Sequence, residues 1–202
     1  MIKTIIQIGN PVLEKVAEKI QNVHDLAVQK DIQNVLDTVL SVEDRSAGLS
    51  APQIAISKSI CVCRRVDLEE REGKSMKKSK RKGKQIPREK LWEVMVNPEI
   101  ISVSQEESIY WEGCLSIGET EKDTLYGPVS RPDSIKIKYL TRVGESKELI
   151  AEGFFSHVVQ HEIDHLNGIL FISRVANPLK NIWKVTDIDK YIDRYGDYPP
   201  VA

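Results

Sequence analysis

The sequence predicts an α+β domain, and three observations point there. Ile32, Val35, Leu36, Val39 and Leu40 recur at the spacing of one buried helical face. Short runs rich in Ile, Val and Tyr follow, separated by turn residues. Over 154–166 the apolar pattern becomes helical again. Helices separated by runs of short strands belong to this class.

In chain order, residues 11–19 predict a short helix, with Pro11 in a first-turn position that needs no N–H. Residues 25–43 predict a longer one, started by an Asp25 cap and stopped by Gly48. Strands are expected over 59–66, 91–96, 100–103, 135–140 and 148–152. The helix over 154–166 ends at Gly168. A further strand over 169–175 and a short mixed-charge helix over 186–195 complete the reading.

The 202 residues suit one domain with appendages, large enough to bury a core without disulfides. A net charge of -1 argues against a protein built to grip DNA or other nucleic acid. Three cysteines, an odd number without regular spacing, predict reduced thiols. Cys61 and Cys63 alternate within a strand pattern and read as packing residues. The first apolar stretch is broken by Gln7 and by the turn residues Gly9, Asn10 and Pro11, so it is no secretory leader. No run reaches the length of a membrane span, and the expected location is cytoplasmic. Residues 67–90 are a charge run, acidic and then basic from Lys74 to Lys84. A solvated loop is the plain reading, and a transient contact with ribosomal RNA the sharper one.

The chemistry concentrates at His161-Glu162-Ile163-Asp164-His165. Histidines four apart on a helix share a face, roughly 6 Å apart along the axis, and can share one metal ion. The intervening Glu162 is placed to act as general base on water. Such a site typically needs a third protein ligand. A metzincin protease would require a histidine where Phe171 stands, which excludes that family. A thermolysin-like site would need a downstream carboxylate, for which Asp187 or Asp189 would have to serve. The other candidate is Cys114 in Glu112-Gly113-Cys114-Leu115-Ser116, since a thiolate binds zinc or ferrous iron strongly. A third run, Gly48-Leu49-Ser50-Ala51-Pro52-Gln53, offers a loop that an extended backbone can approach. Its Gln53 amide is a donor for a developing oxyanion.

Taken together and in this order, the runs Gly48 to Gln53, Glu112 to Ser116 and Gln160 to Gly168 resemble the three signature motifs of peptide deformylases. The resemblance extends from about Ile6 to Val175 and includes the turn at Asn97-Pro98-Glu99-Ile100. It implies short antiparallel sheets packed around the central helix that carries the histidine motif. It implies a catalytic domain over 1–175, with the charged loop as an insertion, and a C-terminal extension over 176–202 with a short helix. It implies one divalent metal on Cys114, His161 and His165, usually iron(II), with zinc or nickel as substitutes. Glu162 is then the acid–base, and the Gln53 amide and the Leu115 N–H are the oxyanion donors. The substrate is an N-formylated nascent peptide lying along Gly48 and Leu49, beside Glu112 and Gly113.

The chain departs from the family pattern in places. Ser46 and Ser50 stand where glycine and alanine are usual, and the segment from Gly118 to Leu125 is longer. His157 lies one turn before His161, with three readings: a pocket wall for the first substrate side chain, a fourth ligand, or a partly exposed histidine with no role. Asp164 reads as a support for the site, paired with Arg131, or as a solvated carboxylate. Two other functions stay open. A zinc endopeptidase leaves Cys114 and Gln53 without a task, and a non-catalytic binder of N-termini draws support only from Ser46, Ser50 and the longer segment.

Overall fold

Strict alternation in β2 (Ile60–Arg64) sets the layers of the molecule. Ile60 and Val62 join one apolar cluster, and Cys61 and Cys63 join another. Side chains alternate across a strand, so β2 is covered on both faces and reads as a continuous apolar run. The computed structural model describes residues 1–68, 91–118 and 120–202. The charged loop expected over 67–90 lies outside the described residues beyond Leu68.

One face of β2 is covered by α1 (Leu26–Ser41), which buries Val28, Ile32, Val35 and Val39. Asp25 caps this helix by accepting from the Ala27 N–H at 2.7 Å. Each fully buried aliphatic side chain in this stripe contributes about 1.5–3 kcal/mol. The helix stops at Ser41, before Gly48, which instead opens β1 (Gly48–Ser50). The expected helix over 11–19 shortens to a 3-10 turn, Pro11–Glu14, capped by Asn10.

The other face is covered by α2 (Gly153–Leu166), the helix with the histidine motif. Its Phe155, Val159, Ile163 and Leu166 pack on Cys61, Cys63 and Met95. With β3 (Trp92–Val103), β4 (Glu107–Gly113), β5 (Leu125–Pro132), β6 (Ser134–Leu140) and β7 (Ser146–Glu152) named, the sheets follow. A five-stranded antiparallel sheet runs β1-β2-β3-β6-β7. A three-stranded sheet runs β4-β5-β8, where β8 is Trp183–Lys184. The motif helix contacts strands of both sheets, which gives the α+β architecture.

The structure corrects several expected boundaries. The strands expected over 91–96 and 100–103 are one strand, bent at a register shift between Val96 and Glu99. Pro98 has no N–H for the ladder, and Asn97 takes a positive φ of 50°. Asn97 keeps the bend in place by exchanging hydrogen bonds of 2.8 and 2.9 Å with the Ile20 backbone. The strand expected over 169–175 is a 3-10 turn, Phe171–Arg174. Short apolar runs do not reveal their own period, and the β5 edge beside it is filled by β8. Past the short helix α3 (Pro178–Asn181), α4 (Val185–Tyr195) matches the helix expected over 186–195. Among the described residues no helix is long and apolar enough to cross a membrane.

Candidate active site

The buried face of α2 carries His161 and His165 toward the end of β4, where the chain leaves Gly113 for Cys114. Ligand atoms of Cys114, His161 and His165 lie within 4.8 Å of one another. Cys114 Sγ is 3.2 Å from His165 Nε2. The Nδ1 atom of His161 is held by Glu112 Oε2 at 2.9 Å, which turns its other nitrogen toward the shared centre.

The two imidazoles sit in different electrostatic surroundings. Burial by itself would lower the His161 pKa, but hydrogen bonds with Cys114 and Glu112 outweigh it and raise the group well above the usual histidine range. His165 is pushed well below its ordinary value by burial and by His161, so its ring stays neutral and keeps a lone pair. One thiol and two imidazoles are a donor set for zinc or ferrous iron.

A buried charge network braces this centre. Glu112 accepts from Arg131 at 2.6 and 2.9 Å and faces His157 Nδ1 at 3.1 Å. Arg131 also donates to Asp164 at 2.7 Å, and Arg174 reaches Asp164 from the other side at 2.5 Å. Burial would raise the Glu112 carboxyl, but hydrogen bonds from Arg131, His157 and His161 hold it far below the usual carboxylate range. Breaking such a buried pair typically costs about 3–5 kcal/mol, because one charge is left uncompensated. Asp164 is therefore no solvated surface carboxylate.

Glu162 is buried beside His161 in the motif helix, and desolvation raises its carboxyl above the ordinary value. Gly48 lies directly against it. A Cβ at position 48 would meet Glu162 Oε1 at 2.6 Å. Gly48→Ala is expected to push the Glu162 carboxylate aside by about 1 Å without touching Cys114, His161 or His165, a shift that costs on the order of 100-fold in turnover where that carboxylate takes part in the reaction. Metal content and kcat measured together check this.

Gln53 is buried in a 3-10 turn, Ala51–Ile54. Its Oε1 accepts from the Ser50 N–H at 2.9 Å, so its Nε2 faces Cys114 Sγ at 3.5 Å and Ser116 Oγ at 3.2 Å. The Leu115 N–H has no acceptor among the described residues. Ser46 has ordinary backbone geometry, and its hydroxyl bonds the Gly48 carbonyl oxygen.

These residues border a cavity of about 360 Å³. Gly48, Gln53, Glu112, Gly113, Cys114, Leu115, His157, His161 and Glu162 all line it. Leu49 does not. Its side chain is fully buried in the cluster under α1, leaving only its backbone at the β1 edge. His157 is also buried rather than partly exposed, between Ser108 and Glu112, with its ring edge-on to Tyr110.

Other residues carried no sequence signal. Trp111, Phe154 and Val185 join the cavity wall, and Trp111 stacks on Tyr198. Thr124, in the segment that follows Cys114, also reaches the cavity. The Tyr126 ring packs so closely on Gly113 that a Cβ there would come within 2.6 Å of it. Gln7, read only as a break in an apolar run, donates to the Leu115 carbonyl oxygen at 3.0 Å.

The chain is similar to known proteins over most of its length. A family model described as polypeptide deformylase matches residues 2–181. A peptide deformylase from Natranaerobius thermophilus is 36% identical over 173 residues, covering 86% of this chain and 92% of that protein. Peptide deformylase 2 of a Nostoc species is 32% identical over 180 residues, covering 88% of each chain. The actinonin-bound class I type b peptide deformylase from Acinetobacter baumannii superposes with a TM-score of 0.68 at 30% identity. That match covers 87% of this chain and 99% of the other. A model match over most of the chain, and relatives alike over most of both lengths, show that the chain belongs to the peptide deformylase family of metal-dependent hydrolases.

Proposed function

We propose that this chain hydrolyses the N-terminal formyl group of formyl-methionyl nascent polypeptides, releasing formate and a free amine. The observation that carries the reading is the convergence of Cys114, His161 and His165, with Cys114, His161 and Glu162 together on the wall of one cavity between two sheet edges.

We assign Cys114, His161 and His165 to hold one divalent cation, iron(II) in the native state, with zinc or nickel able to substitute. When bound, such a cation supplies a Lewis acid that makes hydroxide available near neutral pH. Glu162 takes the proton from the attacking water and delivers it to the departing amine nitrogen as the carbon–nitrogen bond breaks. The Gln53 amide and the Leu115 N–H donate to the oxygen that gains charge. One such donor is worth on the order of 3 kcal/mol in the transition state.

The substrate backbone lies between β1 and β4, the outer strands of the two sheets at this cleft. Both have Gly positions lining the cavity, Gly48 and Gly113. An added strand at such an edge is a common mode of peptide recognition. His157 then forms part of the wall met by the first side chain. His157→Leu should change the preference between formyl-Met and other formylated peptides by roughly tenfold, with metal content unaltered. Identical preference ratios would leave His157 only as a partner of Glu112. The assigned setting is the cytoplasm. The charge run over 74–84 supports brief ribosome contact, which charge reversal there should weaken in a salt-dependent binding assay.

The test is formate release from a formyl-Met peptide by protein purified without oxygen and supplied with iron(II), with unformylated peptide as control. The proposal expects release that a chelator abolishes. Metal binding with cleavage of internal peptide bonds would favour an endopeptidase. Metal binding with neither activity would favour a binder of N-termini.

A further inference from the structure

Ser50 closes β1 with its side chain fully buried against the motif helix. Its Oγ lies 2.6 Å from Glu162 Oε2 and 2.9 Å from the Glu162 backbone carbonyl oxygen. A hydroxyl has one proton to give, and the shorter distance and the negative charge direct it to the carboxylate. The second carboxylate oxygen, Oε1, sits over the Gly48 backbone and has no hydrogen-bond partner among the described residues. Gly48 and Glu162 both line the cavity, so Oε1 is the oxygen left on the cleft side. The last torsion of a glutamate is broad, so a carboxylate without a fixed partner takes many orientations.

We propose that Ser50 is a positioning residue, whose hydroxyl pins Oε2 of Glu162 and so presents Oε1 to the substrate. The proposal rests on the acid–base assignment of Glu162. The Ser50 backbone N–H orients the Gln53 amide, a contact that any side chain at position 50 preserves.

The experiment compares wild type with Ser50→Ala and Ser50→Cys, the latter a near-isosteric but weaker donor. Each iron(II)-supplied protein is assayed for kcat, KM and metal content, and the metal-free Ser50→Ala protein is crystallised. The expected result is a kcat about tenfold lower in the alanine variant, with KM and metal unchanged. The cysteine variant should fall between the two. The crystal should show the Glu162 carboxylate in more than one orientation. Wild-type kcat in Ser50→Ala, an unmoved Glu162, or activity lost in step with metal would each overturn the assignment. An active wild type with an unaffected Ser50→Ala removes only Ser50, whereas metal-bound wild type that releases no formate removes the deformylase reading itself.

Discussion

Replacing Glu162 with alanine is expected to leave metal bound and abolish nearly all turnover. Glu162 is buried next to His161 but belongs to a different contact set. Its carboxylate meets Ser50 and Gly48, not the three ligand atoms. Truncation therefore spares the donors while removing the group proposed to move the proton. General acid–base catalysis contributes about 10²–10⁴-fold, and a loss of that order in kcat is anticipated. Metal analysis and steady-state rates on the same preparation decide it. Full activity in Glu162→Ala would remove the acid–base assignment.

Cys114→Ala should behave differently, losing metal and activity together. Cys114 supplies the sulfur of the donor set and also faces the Gln53 amide and the Ser116 N–H. Removing even an outer partner of a metal ligand costs about 10–100-fold in affinity, so loss of a ligand itself should exceed that. Equilibrium dialysis against iron(II) or zinc reads the affinity directly. Stoichiometric metal retained at micromolar concentration would refute the third-ligand assignment. The contrast between the two variants separates catalysis from metal holding.

Much of the fold was legible because local rules and the final structure agree. The α1 stripe and its Asp25 cap appear where periodicity and capping chemistry put them. The motif helix does too, with Gly168 at a positive φ of 72° just past its end. Strands β4 and β5 were not anticipated, although they carry Glu112 and Arg131. Both contain turn-forming or charged residues that a propensity reading discounts, and their pairing partners are distant in sequence. The run over 169–175 failed in the opposite direction: it is short and apolar without a clear period, and the β5 edge beside it is taken by β8.

The sequence by itself determined which chemical groups are present and in what order. It specified two histidines one helical turn apart, a glutamate between them, and a cysteine and a glutamine in runs matching one family. Spacing within a single helix is a local property, so the His161–His165 pair could be read directly. Only the tertiary structure decided how groups far apart in the chain meet. It placed Cys114 against His165, buried Leu49 away from the cleft, and aimed Ser50 at Glu162. It also joined Glu112, Arg131, Asp164 and His157 into one network. Those contacts come from packing two sheets on one helix, and no local preference of the chain encodes them.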